Sequence, residues 1–271
     1  VRTIAIIPTL LTLGNAVCGF ASIACASKIG MQPENGDAYF AMAGWLIIGA
    51  MAFDALDGYV ARLARTSSDF GMQLDSLCDV VSFGLAPAFL LLRLGPGWEP
   101  VPRLHQALAI IATLYLVCAI LRLARFNVES ALDLGSVKRF RGLPSPGAAG
   151  CLASLAILRG DLTQRWPEHP DWLMRAVQVW APLGALAIAL LMVSRIPYPH
   201  LTKQILRGRR PFSHLIQFIV AAFVIVLLSD LALLLLFWIY ALGIPARYGI
   251  VRALQHKAAP VADWNSPMSQ A

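Results

Sequence analysis

Runs of about 20 apolar residues recur along the whole chain, and that is the length a helix needs to cross the hydrocarbon core of a bilayer. Eight spans are read from the sequence, at roughly 4–27, 39–61, 71–92, 105–125, 146–159, 175–195, 212–229 and 231–250. The fifth is short. Only Ser229-Asp230 interrupts the last two, which predicts an antiparallel hairpin there. With 58% hydrophobic and 14% charged residues the chain is too apolar for an ordinary soluble domain, and the gaps leave no room for one. The expected fold class is therefore all-α: a polytopic integral membrane helix bundle of about eight transmembrane helices, one membrane domain over 1–271. The first span carries Pro8, Thr9, Thr12 and Asn15 and is too long for a cleavable signal, so it reads as a true span. Val1 in place of methionine leaves room for a short leader ahead of it.

Spans two and three are interrupted by charge. Asp54-Ala-Leu-Asp57-Gly58-Tyr-Val-Ala61-Arg62 is followed, eight residues on, by Gly71-Met-Gln-Leu-Asp75-Ser-Leu-Cys-Asp79. An ionisable residue at membrane depth is expensive and points to function. At about 100° per residue, Asp57, Gly58, Ala61 and Arg62 all fall within roughly 80° of Asp54 on a helix, while Gly71, Asp75 and Asp79 form one stripe on the next. Four like charges need a counter-charge that one arginine does not supply. Oxygen-only ligation points to Mg²⁺, Mn²⁺ or Ca²⁺ rather than zinc. Gly58 and Ala61 strip bulk from the same face, so a large ligand can lie against the backbone. Metal, a bare face and an arginine together suggest a phosphate-bearing ligand. A solvated loop or a structural ion-pair cluster is the blander alternative, and segments this apolar argue against it.

The net charge of +7 speaks first to orientation. With the N-terminus in the cytoplasm, 16 of the 22 Lys and Arg residues flank the cytoplasmic ends of the spans. The other six are Lys28, Arg93, Arg103, Arg159, Arg165 and Arg175. This arrangement predicts that the Asp-rich ends open to the cytoplasm. The basic runs otherwise read as anchors to anionic membrane lipids, and no groove-reading motif points to nucleic acid. Five scattered cysteines and five histidines show no ligand spacing, so none is assigned a role.

A second constellation lies at the same predicted face. Span four ends in Arg122-Leu-Ala-Arg125-Phe126-Asn127, and after a basic loop comes Phe140-Arg141-Gly142-Leu143-Pro144-Ser145-Pro146-Gly147. Pro146 suits a first helical position, and free amides at a helix start beside arginines can hold a carboxylate or phosphate. From chemistry alone, a capped helix after a lipid-anchoring loop is an equal alternative.

The pattern Asp-x2-Asp-Gly-x2-Ala-Arg-x8-Gly-x3-Asp-x3-Asp is present without a departure. It resembles the signature of the CDP-alcohol phosphotransferases, membrane enzymes that move a phosphatidyl or similar group from a CDP-linked donor to an alcohol and release CMP. Arg-Leu-Ala-Arg-Phe-Asn and Phe-x-Gly-Leu-Pro-Ser-Pro, with Pro8-Thr9-Leu10 and Thr12-x2-Asn15 in span one, resemble the bacterial and archaeal phosphatidylserine synthases of that family. The resemblance covers residues 4–150, making these the catalytic spans and 175–250 accessory. It implies CDP-diacylglycerol as donor, L-serine as acceptor and a homodimer in the cytoplasmic (inner) membrane. It implies one or two Mg or Mn ions on Asp54, Asp57, Asp75 and Asp79, with Asp79 as the catalytic base. It also implies a CDP pocket of Asp54, Gly58, Ala61, Arg62, Gly71 and Asp75, with Thr12 and Asn15 beside the nucleotide. The serine carboxylate needs a cationic partner, for which Arg122, Arg125, Arg139 and Arg141 are candidates, with Asn127 and Ser145 as polar helpers. Two rivals stand: a family enzyme with glycerol phosphate, inositol phosphate or choline as acceptor, and a cation transporter. Choline would call for an aromatic cage, which the sequence does not offer. A transporter would spread its carboxylates along a pathway rather than gather them at one face.

Overall fold

Apolar runs this long fold as helices because only a helix satisfies every backbone polar group within its own segment. The computed structural model describes residues 2–31, 36–64, 69–95, 102–131, 142–165, 170–196, 198 and 230–258. These form seven helices: α1 (Arg2–Lys28), α2 (Gly36–Ala64), α3 (Asp69–Leu94), α4 (Pro102–Ala131), α5 (Ser145–Arg165), α6 (Asp171–Val193) and α7 (Asp230–Ala258). There is no strand among the described residues. Six of the helices, all but α5, are long and apolar enough to cross a membrane, so the chain is a polytopic integral membrane helix bundle. The predicted span 212–229 and its turn to Asp230 lie outside the described residues.

The exception, α5, has a physical reason. Its 21 residues occupy the interior of the bundle, packed against α2, α3, α4, α6 and α7. Ala148, Ala149, Cys151, Ala153, Ser154 and Ala156 are all fully buried. Small residues let neighbouring backbones close in, and a helix that meets protein on all sides needs less lipid-compatible surface than its neighbours. The outer helices instead keep an apolar face uncovered, as at Leu10, Val17 and Phe20 of α1 or Ile110 and Leu121 of α4.

The third helix is not regular. After an α-helical stretch at Asp69–Asp79 it winds as a π-helix over Val80–Leu85, then resumes as α-helix over Ala86–Leu94. Pro87 has no N–H, so the Phe83 carbonyl cannot be paired by the residue four positions on. Tyr115 of α4 donates its hydroxyl to that carbonyl at 3.1 Å, and the tyrosine is wholly buried. Insertions of this kind rotate the side chains around them and cluster at functional sites. Here the stretch begins directly after Asp79.

Candidate active site

Asp54 and Asp57 project from α2 and Asp75 from the first part of α3. Carboxylate oxygens from the three lie within 4.8 Å of one another. Asp57 is 5% exposed. One oxygen of Asp75 is buried with no hydrogen-bond partner among the described residues. A buried anionic oxygen without a partner is costly, and three hard oxygen donors converging on it form a set suited to a divalent cation such as Mg²⁺ or Mn²⁺. The donor chemistry therefore fits the metal that the sequence implies.

Asp79 lies one helical turn beyond Asp75 and is held differently. It is 8% exposed, and the Asn15 side-chain amide donates to its Oδ1 at 3.0 Å. Asn15 is itself fully buried, and its backbone carbonyl accepts the Ser82 hydroxyl at 2.9 Å. The π-helical stretch, α1 and Asp79 are thus tied at one point. Gly19 permits this approach: a Cβ there would lie 2.7 Å from the Ser82 Cα, closer than packed atoms come. Thr12 is buried on the same side of α1, but its hydroxyl donates to the Pro8 carbonyl in its own helix at 3.0 Å.

The candidate acceptor residues separate. Arg122 of α4 donates to the fully buried Ser145 hydroxyl at the start of α5, and its charge interacts with those of Asp79 and Asp54. Arg125, one turn on, donates to the Val193 carbonyl at the end of α6 at 3.5 Å, away from the carboxylates. Asn127 exchanges hydrogen bonds with Ser76, at 2.9 and 3.1 Å, and so braces α4 against the residue next to Asp75. Gly58, Ala61 and Gly71 are partly buried on α2 and α3. The Arg62 side chain, Arg139 and Arg141 lie outside the described residues.

The Gly-Leu-Pro-Ser-Pro turn docks through its backbone. The Gly142 amide donates to the Ile196 carbonyl at 2.9 Å and the Leu143 amide to the Leu191 carbonyl at 3.0 Å. Gly142 has φ of +91°, a conformation that favours glycine, and a side chain there would strike the Met192 carbonyl. The Leu143 amide caps the last turn of α6 and the Gly142 amide holds the segment just after it, and the polar group this turn offers the site is the Ser145 hydroxyl. Sequence reasoning passed over three residues here. Ser82 lies three positions after Asp79 and could have been found by spacing. Ser76 and Tyr115 carried no signal, because the partners they meet are remote in sequence.

Comparison with known proteins adds the family. Residues 5–191 match the model of the CDP-alcohol phosphatidyltransferases. A CDP-diacylglycerol–serine O-phosphatidyltransferase of Helicobacter pylori is 34% identical over 197 residues, 72% of this chain and 73% of that protein. One of Methanocaldococcus jannaschii is 39% identical over 155 residues, 57% of this chain and 62% of that protein. An archaetidylserine synthase of Methanothermobacter thermautotrophicus is 34% identical over 195 residues, 71% and 69% of the two chains. With its aspartate motif drawn into one cluster and more than half its length matched, the chain belongs to the CDP-alcohol phosphatidyltransferase family.

Proposed function

We propose that this protein transfers the phosphatidyl group of CDP-diacylglycerol to the hydroxyl of L-serine, giving phosphatidylserine and CMP. The observation that carries this reading is the juxtaposition of the Asp54, Asp57 and Asp75 cluster and Asp79 with the Arg122–Ser145 pair. The names of the relatives supply the donor and acceptor classes.

Asp54, Asp57 and Asp75 would hold divalent metal, which when bound neutralises the donor diphosphate and makes its phosphorus electrophilic. Gly58, Ala61 and Gly71 leave the α2 and α3 faces open for the cytidine diphosphate, with Arg62 as its cationic partner. Asn15 orients Asp79 through one carboxylate oxygen and leaves the other to accept the proton of the serine hydroxyl. The serine oxygen bonds to the phosphorus that bears the diacylglycerol. The bond from that phosphorus to the oxygen of CMP breaks, and CMP takes the electron pair. No covalent enzyme intermediate is needed. Arg122, fixed by Ser145, pairs the serine carboxylate and sets the hydroxyl towards Asp79.

The same reading puts the protein in the cytoplasmic membrane as a homodimer, with the site open to the cytoplasm. The skew of positive charge towards the ends of the helices that carry the aspartates supports that orientation. The test is CMP release from CDP-diacylglycerol by the purified protein with serine, glycerol phosphate, inositol phosphate or choline. Release that requires both divalent cation and serine is expected. Release driven equally by another of these alcohols overturns the serine assignment.

A further inference from the structure

The C-terminal helix α7 lies beyond the residues that match the family model, yet it places a polar side chain at the acceptor end of the site. Tyr240 stands against the first turns of α5. Its ring edge would be 3.3 Å from a Cβ at Gly147, two residues after the Ser145 that holds Arg122. The missing side chain at Gly147 is what lets the ring sit there. On its other side Tyr240 meets the Tyr198 ring, with centroids 5.9 Å apart and planes at 55°. Tyr198 is itself fixed, its hydroxyl donating to the Ala241 carbonyl at 3.0 Å.

The two helices are pinned at two further points close by. The Cys151 thiol meets the Phe237 carbonyl at 3.4 Å and the Trp238 indole donates to the Cys151 carbonyl at 3.2 Å. The Tyr240 ring is therefore held in a defined place, and it interacts electrostatically with Arg122. Its hydroxyl makes no hydrogen bond among the described residues. A half-buried polar group on a rigidly held ring, packed at the helix start that holds Arg122 and without a hydrogen-bond partner among the described residues, is arranged to meet a ligand rather than to support the fold.

We propose that Tyr240 is a specificity-determining residue of the acceptor subsite, its hydroxyl donating to the serine carboxylate alongside Arg122. One carboxylate has lone pairs enough for a guanidinium and a phenol together. The ring closes that side of the subsite and limits the acceptor to a small one. The inference rests on the reading of Arg122 as the acceptor's cationic partner.

The experiment compares wild type with Tyr240→Phe in detergent–lipid micelles, measuring CMP release as serine and CDP-diacylglycerol are varied in turn. Removing only the hydroxyl keeps the ring packed against Gly147 and Tyr198, so the fold is retained. The expected result is a serine KM raised about 10- to 150-fold, as for one lost hydrogen bond to a charged group. The KM for CDP-diacylglycerol and kcat stay as in wild type. An unchanged serine KM, a loss confined to kcat, or both KM values rising together overturns the proposal. The wild type separates this outcome from failure of the functional reading. If serine does not drive its CMP release, that reading falls on wild type alone. Tyr240→Phe is then scored on the KM of whichever alcohol does react, and an unchanged value there overturns the proposal as well.

Discussion

Four carboxylates on two helices sit in two different surroundings, and the distinction rests on single contacts. Asp54, Asp57 and Asp75 point oxygens at one another, whereas Asp79 is pinned by an asparagine from a third helix. Asp57→Asn is therefore expected to abolish activity and weaken Mn²⁺ binding while the protein stays folded, as read by calorimetric titration beside a helical circular-dichroism signal. Full activity in the presence of a chelator would contradict a metal role. Asp79→Asn should lower kcat by about 10²–10⁴-fold, the usual loss for a general base, with donor affinity much less affected. Donor affinity falling as steeply as turnover would make Asp79 chiefly a metal ligand. Arg122→Lys keeps the charge but loses the planar fork. It should raise the serine KM about 10- to 150-fold, equivalent to roughly 1.5–3 kcal/mol for a charged hydrogen bond, and leave the KM for CDP-diacylglycerol nearly unchanged. Serine amide reacting as well as serine would end the carboxylate-pairing account.

The helices themselves were legible in outline. Each described helix overlaps the span read from hydropathy, and most extend a few residues past it, as for 39–61 against Gly36–Ala64 or 105–125 against Pro102–Ala131. Hydropathy marks the lipid-embedded part, and a helix continues into the interface beyond it. The short fifth span was harder, because the small residues that make α5 a central element also lower its apolarity. The π-helical stretch was not legible, since an extra residue per turn leaves the apolar pattern of Val80–Leu85 intact. Only Pro87 hinted at it. That stretch depends on Tyr115, whose hydroxyl serves the Phe83 carbonyl. Tyr115→Phe leaves that carbonyl without its partner, at a cost of about 1–3 kcal/mol. A lower thermal midpoint in detergent is expected, with a lower kcat because Asp79 immediately precedes the stretch. No change in either would show that the tyrosine does not support it.

For the molecule as a whole, the aspartate motif was legible because its spacing is short and stays within two adjacent helices. The acceptor side was legible only as four arginines of equal standing. What separates Arg122 from Arg125 is a contact 23 positions away, since Ser145 meets Arg122 while Arg125 turns to α6; Arg139 and Arg141 lie outside the described residues. The packing of α7 against the start of α5 had no counterpart in any motif. The proposed orientation rests on the charge skew and is open to a direct check by labelling introduced cysteines in the cell membrane. A cysteine at Met31, exposed after α1, should react with an impermeant thiol reagent from outside, and one at Glu129, exposed near the end of α4, only after permeabilisation. The reverse pattern would invert the topology.

The central claim, that the aspartate cluster and Arg122 together direct a phosphatidyl group to serine, is tested most directly by competition. The purified protein is given CDP-diacylglycerol, divalent cation and equal concentrations of serine, glycerol phosphate and inositol phosphate, and the lipid products are resolved by mass. The account predicts phosphatidylserine as the dominant product, formed in step with CMP in wild type and lost from the Arg122→Lys mixture first. A dominant product bearing either phosphorylated alcohol, or a wild-type product ratio that Arg122→Lys leaves unchanged, would contradict it.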